Sequence, residues 1–243
     1  MGKFGLIGKN IEYSFSRSFF KKKFETEGLE HSYVNFDLDS INEFPEILKT
    51  TKNIKGLNVT IPYKETIIPF LDKIDKKAKK IGAVNTIKVT KKGKLVGYNT
   101  DYYGFTKAIK PYLKSHHEKA LILGTGGASK AIAYSLKKLN IEFNYVSRQQ
   151  SKKAKLTYKT LNNSIISEHQ IIINCTPLGT YPNMNECADI PYDAITSEHL
   201  LFDLIYNPEE TKFLTIGKLK GATICNGSLM LALQAEKAWE IWN

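Results

Sequence analysis

Cysteine is scarce in this chain, and nothing in its placement suggests pairing. Cys175, Cys187 and Cys225 are an odd count with no CxxC spacing, which argues against a disulfide framework or a zinc site and leads us to expect a reducing compartment. Long apolar runs are missing as well: none approaches the roughly 20 residues that cross a bilayer. The N-terminus enters a short strand-like run, Phe4 to Ile7, in place of a signal-peptide core. Met1-Gly2 opens like a myristoylation signal, but Leu6 stands where that signal needs Ser or Thr. A cytoplasmic location with no membrane partner is therefore the expectation. Acidic residues fall short too, 24 against 35 basic ones, leaving a formal charge of +11. That surplus is lysine in short clusters, such as Lys21 to Lys23 and Lys76, Lys77, Lys79 and Lys80, which we read as solvated faces. With no basic arm, no basic-aromatic alternation and no Cys/His finger spacing, specific nucleic-acid binding is not expected.

What is present is an ordinary globular composition, 42% hydrophobic and 24% charged over 243 residues, enough for one large domain or two modest ones. Short apolar runs alternate with amphipathic stretches, the pattern of strands joined by crossover helices, so the fold class is α/β. The candidate strands are Phe4 to Gly8, Tyr33 to Leu38, Gly56 to Thr60, Val84 to Thr90, Leu95 to Asn99, Ala120 to Leu123, Phe143 to Ser147, Ile171 to Asn174, Leu200 to Asp203 and Thr223 to Cys225. The turn Lys91-Lys92-Gly93-Lys94 reads as a hairpin and makes the first sheet mixed. A second start signal near residue 119, after a helical stretch from Tyr102 to Leu113, places a domain boundary near residue 102. The last stretch, Gly227 to Trp242, carries a helical stripe of Leu231, Ala235, Ala238 and Trp242. Beside it, Gly227, Met230 and Gln234 form a second edge that is a candidate to face a ligand.

Several groups carry chemistry. Gly124, Gly126 and Gly127 follow a strand and open a helix, as phosphate binding requires, although a tight strand-to-helix turn explains them equally and Ser129 replaces the third glycine of GxGxxG. The next strand ends in Ser147-Arg148 with no carboxylate for a ribose hydroxyl. A guanidinium there, with Lys152 or Lys153 adding charge, favours NADP over NAD, the alternative being a solvated basic turn. In Asn58-Val59-Thr60-Ile61-Pro62-Tyr63-Lys64 the Asn58 and Thr60 side chains share one face of a strand end. Lys64 is expected just inside a helix start, where the dipole and desolvation would suit it to proton transfer, though a surface lysine fits the spacing as well. Asn85-Thr86 and Asn99-Thr100-Asp101 are further polar strand ends, either turn formers or ligands. Ser14 and Ser16 precede an amphipathic helix, as an N-cap or as a pair gripping a carboxylate.

Taken together, these segments resemble the shikimate dehydrogenases. The match runs through Gly5-Leu6-Ile7-Gly8 with Ser14 and Ser16, Asn58 to Lys64, Gly82-Ala83-Val84-Asn85-Thr86 and Asn99-Thr100-Asp101. It continues through Gly124 to Ala128, Ser147-Arg148, Asn174 to Gly179, Asp203 to Pro208, and Asn226-Gly227 through Gln234-Ala235. The resemblance implies a substrate domain over residues 1–101, rejoined by the C-terminal helix 227–243, and a Rossmann-like NADP domain over 102–226. It implies Lys64 and Asp101 as the catalytic pair, and Ser14, Ser16, Asn58, Thr60, Asn85 and Gln234 as substrate ligands. It further implies NADP contacts from Gly124, Gly126, Gly127, Ala128, Ser147, Arg148, Thr176, Tyr206, Gly227 and Met230, with no metal. The implied reaction is the reversible reduction of 3-dehydroshikimate to shikimate, by a monomer or homodimer; alternatives are a quinate/shikimate dehydrogenase or a non-catalytic metabolite-binding regulator. Tyr13, Arg17, Tyr102 and Ser147 depart from the usual family pattern.

Overall fold

The structure, a computed structural model, describes residues 1–12 and 14–243, so Tyr13 lies outside the described residues. The chain forms two compact units, one of Met1–Asp101 with Gln234–Asn243 and one of Tyr102–Leu233. The division thus falls inside the last helix, not at its start. Among the described residues no helix is long and apolar enough to cross a membrane.

In the first unit the order is β1 (Gly2–Gly8), α1 (Phe15–Thr26), β2 (His31–Asp37), α2 (Phe44–Thr50), β3 (Ile54–Val59), β4 (Lys73–Ile74), α3 (Lys76–Ile81), β5 (Thr86–Val89) and β6 (Leu95–Tyr98). The sheet runs β2-β1-β3-β5-β6-β4. The β1, β2 and β3 strands are parallel, whereas β5 is antiparallel to both β3 and β6. The expected hairpin joins β5 to β6, with Gly93 at φ +74 in its turn, a conformation that side chains disfavour. The expected strand from Val84 starts later, because the Val84 N–H is spent on the Lys64 carbonyl at 2.7 Å. Two faces of apolar residues cover the sheet. One centres on Ile7, Phe44, Leu57 and Ile87. The other gathers Phe4, Phe20, Phe24 and Tyr33 with Ala235, Ala238 and Trp242 of the last helix. Gly56 leaves room for that tryptophan: a Cβ there would lie 2.3 Å from its Nε1, which donates to the Ile87 carbonyl at 3.0 Å.

The helix α4 (Asp101–Ile109) leads into the second unit and gives way to a 3-10 turn at Lys110–Tyr112, since Pro111 has no N–H to continue the ladder. There follow β7 (Lys119–Leu123), α5 (Gly127–Lys138), β8 (Glu142–Ser147), β9 (Leu156–Thr157), α6 (Asn163–Glu168), β10 (Ile171–Asn174), β11 (Leu200–Asp203), α7 (Lys212–Leu219), β12 (Thr223–Cys225) and α8 (Ser228–Trp242). The strands of this sheet are parallel, in the order β12-β11-β10-β7-β8-β9. Read from the other edge, this is the 3-2-1-4-5-6 arrangement of a doubly wound sheet, whose order reverses between β7 and β10. Both sheet faces are covered, as the fully apolar strands Ile171–Ile173 and Leu200–Phe202 require. The short strands β4 and β9, two residues each, are not apparent from periodicity because they carry no alternation to read.

Candidate active site

Strand direction explains why scattered polar residues meet in the first unit. Parallel β1 and β3 bring their C-terminal ends to one sheet edge, delivering Ser14 and Ser16 at the start of α1 and Asn58 and Thr60 at the end of β3. Antiparallel β5 brings its N-terminal end there, with Asn85 and Thr86, and β6 then returns Asn99, Thr100 and Asp101. Thr86 stands in register with both Asn58 and Tyr98.

Lys64 is not a surface lysine. Its Nζ lies 2.7 Å from Asp101 Oδ2, and the two side chains are 13% and 6% exposed. Nor does it open a helix: residues 61–67 form successive turns. The Lys64 carbonyl accepts from Val84 N–H, while Ile68 N–H turns to Glu65, so the helical ladder is broken there. Buried Tyr63, donating to the Leu38 carbonyl at 2.6 Å, and Ile67 pin this segment on either side of the lysine. Asp101 is held from its other oxygen, Oδ1, which accepts from Asn85 Nδ2 at 2.8 Å. Asn85 is itself oriented by Thr100 N–H, which donates to its Oδ1 at 2.6 Å, and by Thr86 Oγ1 at 3.1 Å. Gln234 Oε1 accepts from Asn85 Nδ2 at 3.2 Å and from Thr100 Oγ1 at 3.3 Å. The chain of support runs from backbone to amide to carboxylate to amine, and such a network is rigid when every member is satisfied.

Ser14 is the N-cap of α1, its Oγ accepting from Arg17 N–H at 3.2 Å; an oxygen so engaged still carries a proton to donate. Ser16 is buried on the same helix. Asn58 is also buried, its Oδ1 accepting from Tyr33 at 2.8 Å. Sequence reasoning passes over Tyr33 as a site residue and has Thr86 and Thr100 only as members of polar strand ends, with no role of their own. Hydroxyls at strand ends are the available signal, but Tyr33 meets Asn58 25 positions on, and Thr86 meets Thr100 14 positions on.

In the second unit the glycines divide by physical cause. Gly124, at φ +99, is held in a backbone conformation that favours glycine, with Thr176 and Cys175 packed above it. Gly126 has an ordinary φ of −69, caps α5 without a side-chain bond, and a Cβ built there meets nothing within 4 Å. Open space at the N-terminus of a 12-residue helix, at the reversal of strand order, is where a dinucleotide phosphate fits. Gly127 is the first residue of α5, with Ala128 next. Ser129 replaces the usual third glycine by turning inward, fully buried, and donating to the Gly126 carbonyl at 2.7 Å. Lys153, rather than Lys152, is seated at the turn: its Nζ lies 3.1 Å from the Thr125 carbonyl and 4.2 Å from the Tyr145 ring centre. Arg148 is exposed, and the Ser147 hydroxyl turns back to the Gln149 carbonyl. Thr176 donates to Asn174 Oδ1 at 2.6 Å at the end of β10, and Tyr206 follows β11. Gly227 has a packing reason, since a Cβ there would lie 2.2 Å from the Leu204 carbonyl oxygen. Met230 does not sit on an open helix edge; it is 4% exposed within the apolar core that includes Phe105 and Phe202.

A buried amine–carboxylate pair on one sheet, and on the other a glycine turn with basic side chains at the switch point, are the parts of a dinucleotide-dependent oxidoreductase. The profile of the shikimate dehydrogenase substrate binding domain matches residues 6–87. The chain is 40% identical to the shikimate dehydrogenase (NADP(+)) of Methanosphaera stadtmanae, over 98% of this chain and 90% of that protein. The corresponding Clostridium botulinum protein is 41% identical, over 98% and 95%. The crystal structure of shikimate 5-dehydrogenase from Thermus thermophilus, in complex with NADP(H) and shikimate, superposes with a TM-score of 0.88 at 30% identity, covering 100% of this chain and 94% of that chain. The chain belongs to the shikimate dehydrogenase family.

Proposed function

We propose that this protein is an NADP-dependent shikimate dehydrogenase, catalysing the reversible reduction of 3-dehydroshikimate to shikimate. The observation that carries the reading is the buried Lys64–Asp101 pair at 2.7 Å, with Asn85 donating to Asp101 and to Gln234 behind it. In this reading Ser14 and Ser16 bind the substrate carboxylate, and Asn58, Thr60, Asn85, Asp101 and Gln234 bind the ring hydroxyls. NADP, when bound, supplies or accepts the hydride. Gly124, Gly126, Gly127 and Ala128 form its phosphate turn, Ser147 and Arg148 bind its adenosine end, and Thr176, Tyr206 and Gly227 complete the set, with Met230, buried in the core, packing beneath the helix start. Lys153 adds positive charge at the turn.

The residues' part is proton transfer and orientation. When hydride reaches the carbonyl carbon, the oxygen gains negative charge, and the Lys64 ammonium gives it a proton and so forms the alcohol. In oxidation Lys64 takes the hydroxyl proton as hydride leaves the same carbon. Asp101 aims the amine, and Asn85 holds Asp101 from its second oxygen. Lys64→Ala is expected to lower kcat for shikimate oxidation by about 100-fold or more, with a smaller change in KM. Turnover within about threefold of wild type, roughly 0.6 kcal/mol in barrier, would remove Lys64 from the mechanism. The three unpaired cysteines accord with a cytoplasmic enzyme, which cell fractionation would test.

A further inference from the structure

Lys153 is exposed, yet it is fixed at both ends. Its backbone lies in a short segment after β8 where Ala154 N–H donates to Ser151 Oγ at 3.0 Å and Ser151 N–H donates to the Ala154 carbonyl at 2.9 Å. Ala154 is fully buried in the core that holds Tyr145. The Lys153 ammonium lies 4.2 Å from the centre of the Tyr145 ring, whose face attracts a cation. It also lies 3.1 Å from the Thr125 carbonyl and 3.4 Å from Ser129 Oγ. The Tyr145 hydroxyl reaches the Ser129 carbonyl in turn, at 3.3 Å. One amine thus joins the segment after β8 to the start of α5.

Counting protons gives these contacts a direction. An ammonium only donates, so both bonds run outward from Lys153. Ser129 gives its single hydroxyl proton to the Gly126 carbonyl at 2.7 Å and accepts from the lysine with a lone pair. Lys153 therefore reaches two successive peptide groups, the one between Thr125 and Gly126 directly and the one between Gly126 and Gly127 through Ser129. A peptide group is planar and trans, so its N–H points away from its carbonyl. The N–H groups at the far side of these two units are those of Gly126 and Gly127, which belong to the four at a helix start that have no partner within the helix. A carbonyl that accepts from a charged donor makes the N–H of its own peptide a stronger donor, because linked hydrogen bonds polarise one another.

We propose that Lys153 is a positioning residue for the cofactor pyrophosphate: it holds the Thr125 and Gly126 carbonyls, the second through Ser129, and so aims and polarises the Gly126 and Gly127 N–H groups toward the phosphates without touching them. The inference rests on the assignment of this turn to NADP made under the proposed function. It separates two basic groups that follow β8. Arg148, at the adenosine end, bears on the choice between NADP and NAD, whereas Lys153 acts on a moiety that both dinucleotides share and strengthens both alike. Ser129 is the second half of the device, since a glycine at that position has no hydroxyl to carry the link.

The experiment is calorimetric titration of NADP+ and NAD+ into the wild type, Lys153→Met, Ser129→Ala and the double variant. Lys153→Met is expected to raise the Kd of NADP+ about fivefold or more, and that of NAD+ by the same factor. The ratio of variant to wild type is expected to shrink as NaCl rises from about 0.05 to 0.5 M, because salt screens an exposed charge. A lysine that merely braces the chain gives a ratio that salt leaves alone, and that result, like an unchanged Kd, overturns the proposal. A loss confined to NADP+ places Lys153 on the 2′-phosphate and overturns it while leaving the cofactor assignment standing. Ser129→Ala is expected to cost about threefold, and the double variant to lose less than the product of the two single changes; losses that multiply overturn the link through Ser129. Wild-type protein that binds no NADP+ overturns the cofactor reading and this inference together. If NAD+ binds too weakly to titrate, the cycle with Ser129 decides, and if a melt shows Ser129→Ala unfolded, the comparison of the two dinucleotides decides.

Discussion

Asp203 closes β11 with no exposed surface, accepting from Thr211 at 2.7 Å and from Asn174 and Ile205 N–H at 3.0 Å each. Burial outweighs those bonds and pushes its pKa up from 3.8 to about 6. A raised acid stabilises the fold below its unfolded pKa and loses that contribution as pH rises through the folded value, so the ionised form costs about 3 kcal/mol at neutral pH. Asp203→Asn is therefore expected to raise the melting temperature at about pH 7.5 and to have little effect near pH 3.5. A mutant–wild-type difference that does not change with pH would contradict this account. The aspartate is legible in the sequence as part of a family segment, but its environment is not, because its partners are spread from Asn174 to Thr211. Lys64 makes the same point in reverse. Its spacing suits a solvated lysine, and burial against Asp101, 37 residues away, is a fact of tertiary contact.

Elements differ in how far their ends can be read. The Gly93 hairpin is legible because the turn needs a positive φ and few residues supply one. Residues 61–67 are not, because Val84 diverts a carbonyl that the helix would have used. The start of α5 lies between these cases. A glycine cluster signals an unusual turn without revealing which glycine serves it, and the structure separates Gly124, required by its φ, from Gly126, whose missing side chain leaves open space. Substitutions at the two should accordingly fail in different ways. Gly126→Val is expected to raise the Kd for NADP+ about tenfold or more by filling the phosphate site, while moving Tm by less than about 2 °C. Calorimetric titration and a melt measure both quantities, and unchanged NADP+ affinity would remove Gly126 from the cofactor site.

At the scale of the molecule, the second unit gathers buried histidines at the N-terminal ends of its strands, opposite the edge that carries the glycine turn. His117 Nδ1 accepts from Lys114 N–H at 3.0 Å, and its Nε2 lies 3.2 Å from the Glu198 carbonyl. His169 Nδ1 lies 2.7 Å from the Ile165 carbonyl and its Nε2 3.1 Å from Asn144 Nδ2. In each, one nitrogen faces a donor, which the neutral ring satisfies and the protonated ring cannot. Burial lowers both pKa values below the usual 6.5, so these groups contribute stability above about pH 6.5 that is lost as pH falls through their folded values. Asp203 works in the opposite sense, and in the Asp203→Asn background the acid destabilisation should stand out. Replacing both histidines with glutamine is expected to flatten that slope, as Tm measured from about pH 7.5 to 5 would show; an unchanged slope assigns it elsewhere. Local chemistry settled the class of each sheet, the glycine turn and the polar strand ends, because backbone conformation and side-chain alternation act over a few residues. Which amine is buried, which polar side chains meet and which glycine faces open space were decided by the fold, because burial and hydrogen-bond partners depend on neighbours that strand order, not chain position, brings together.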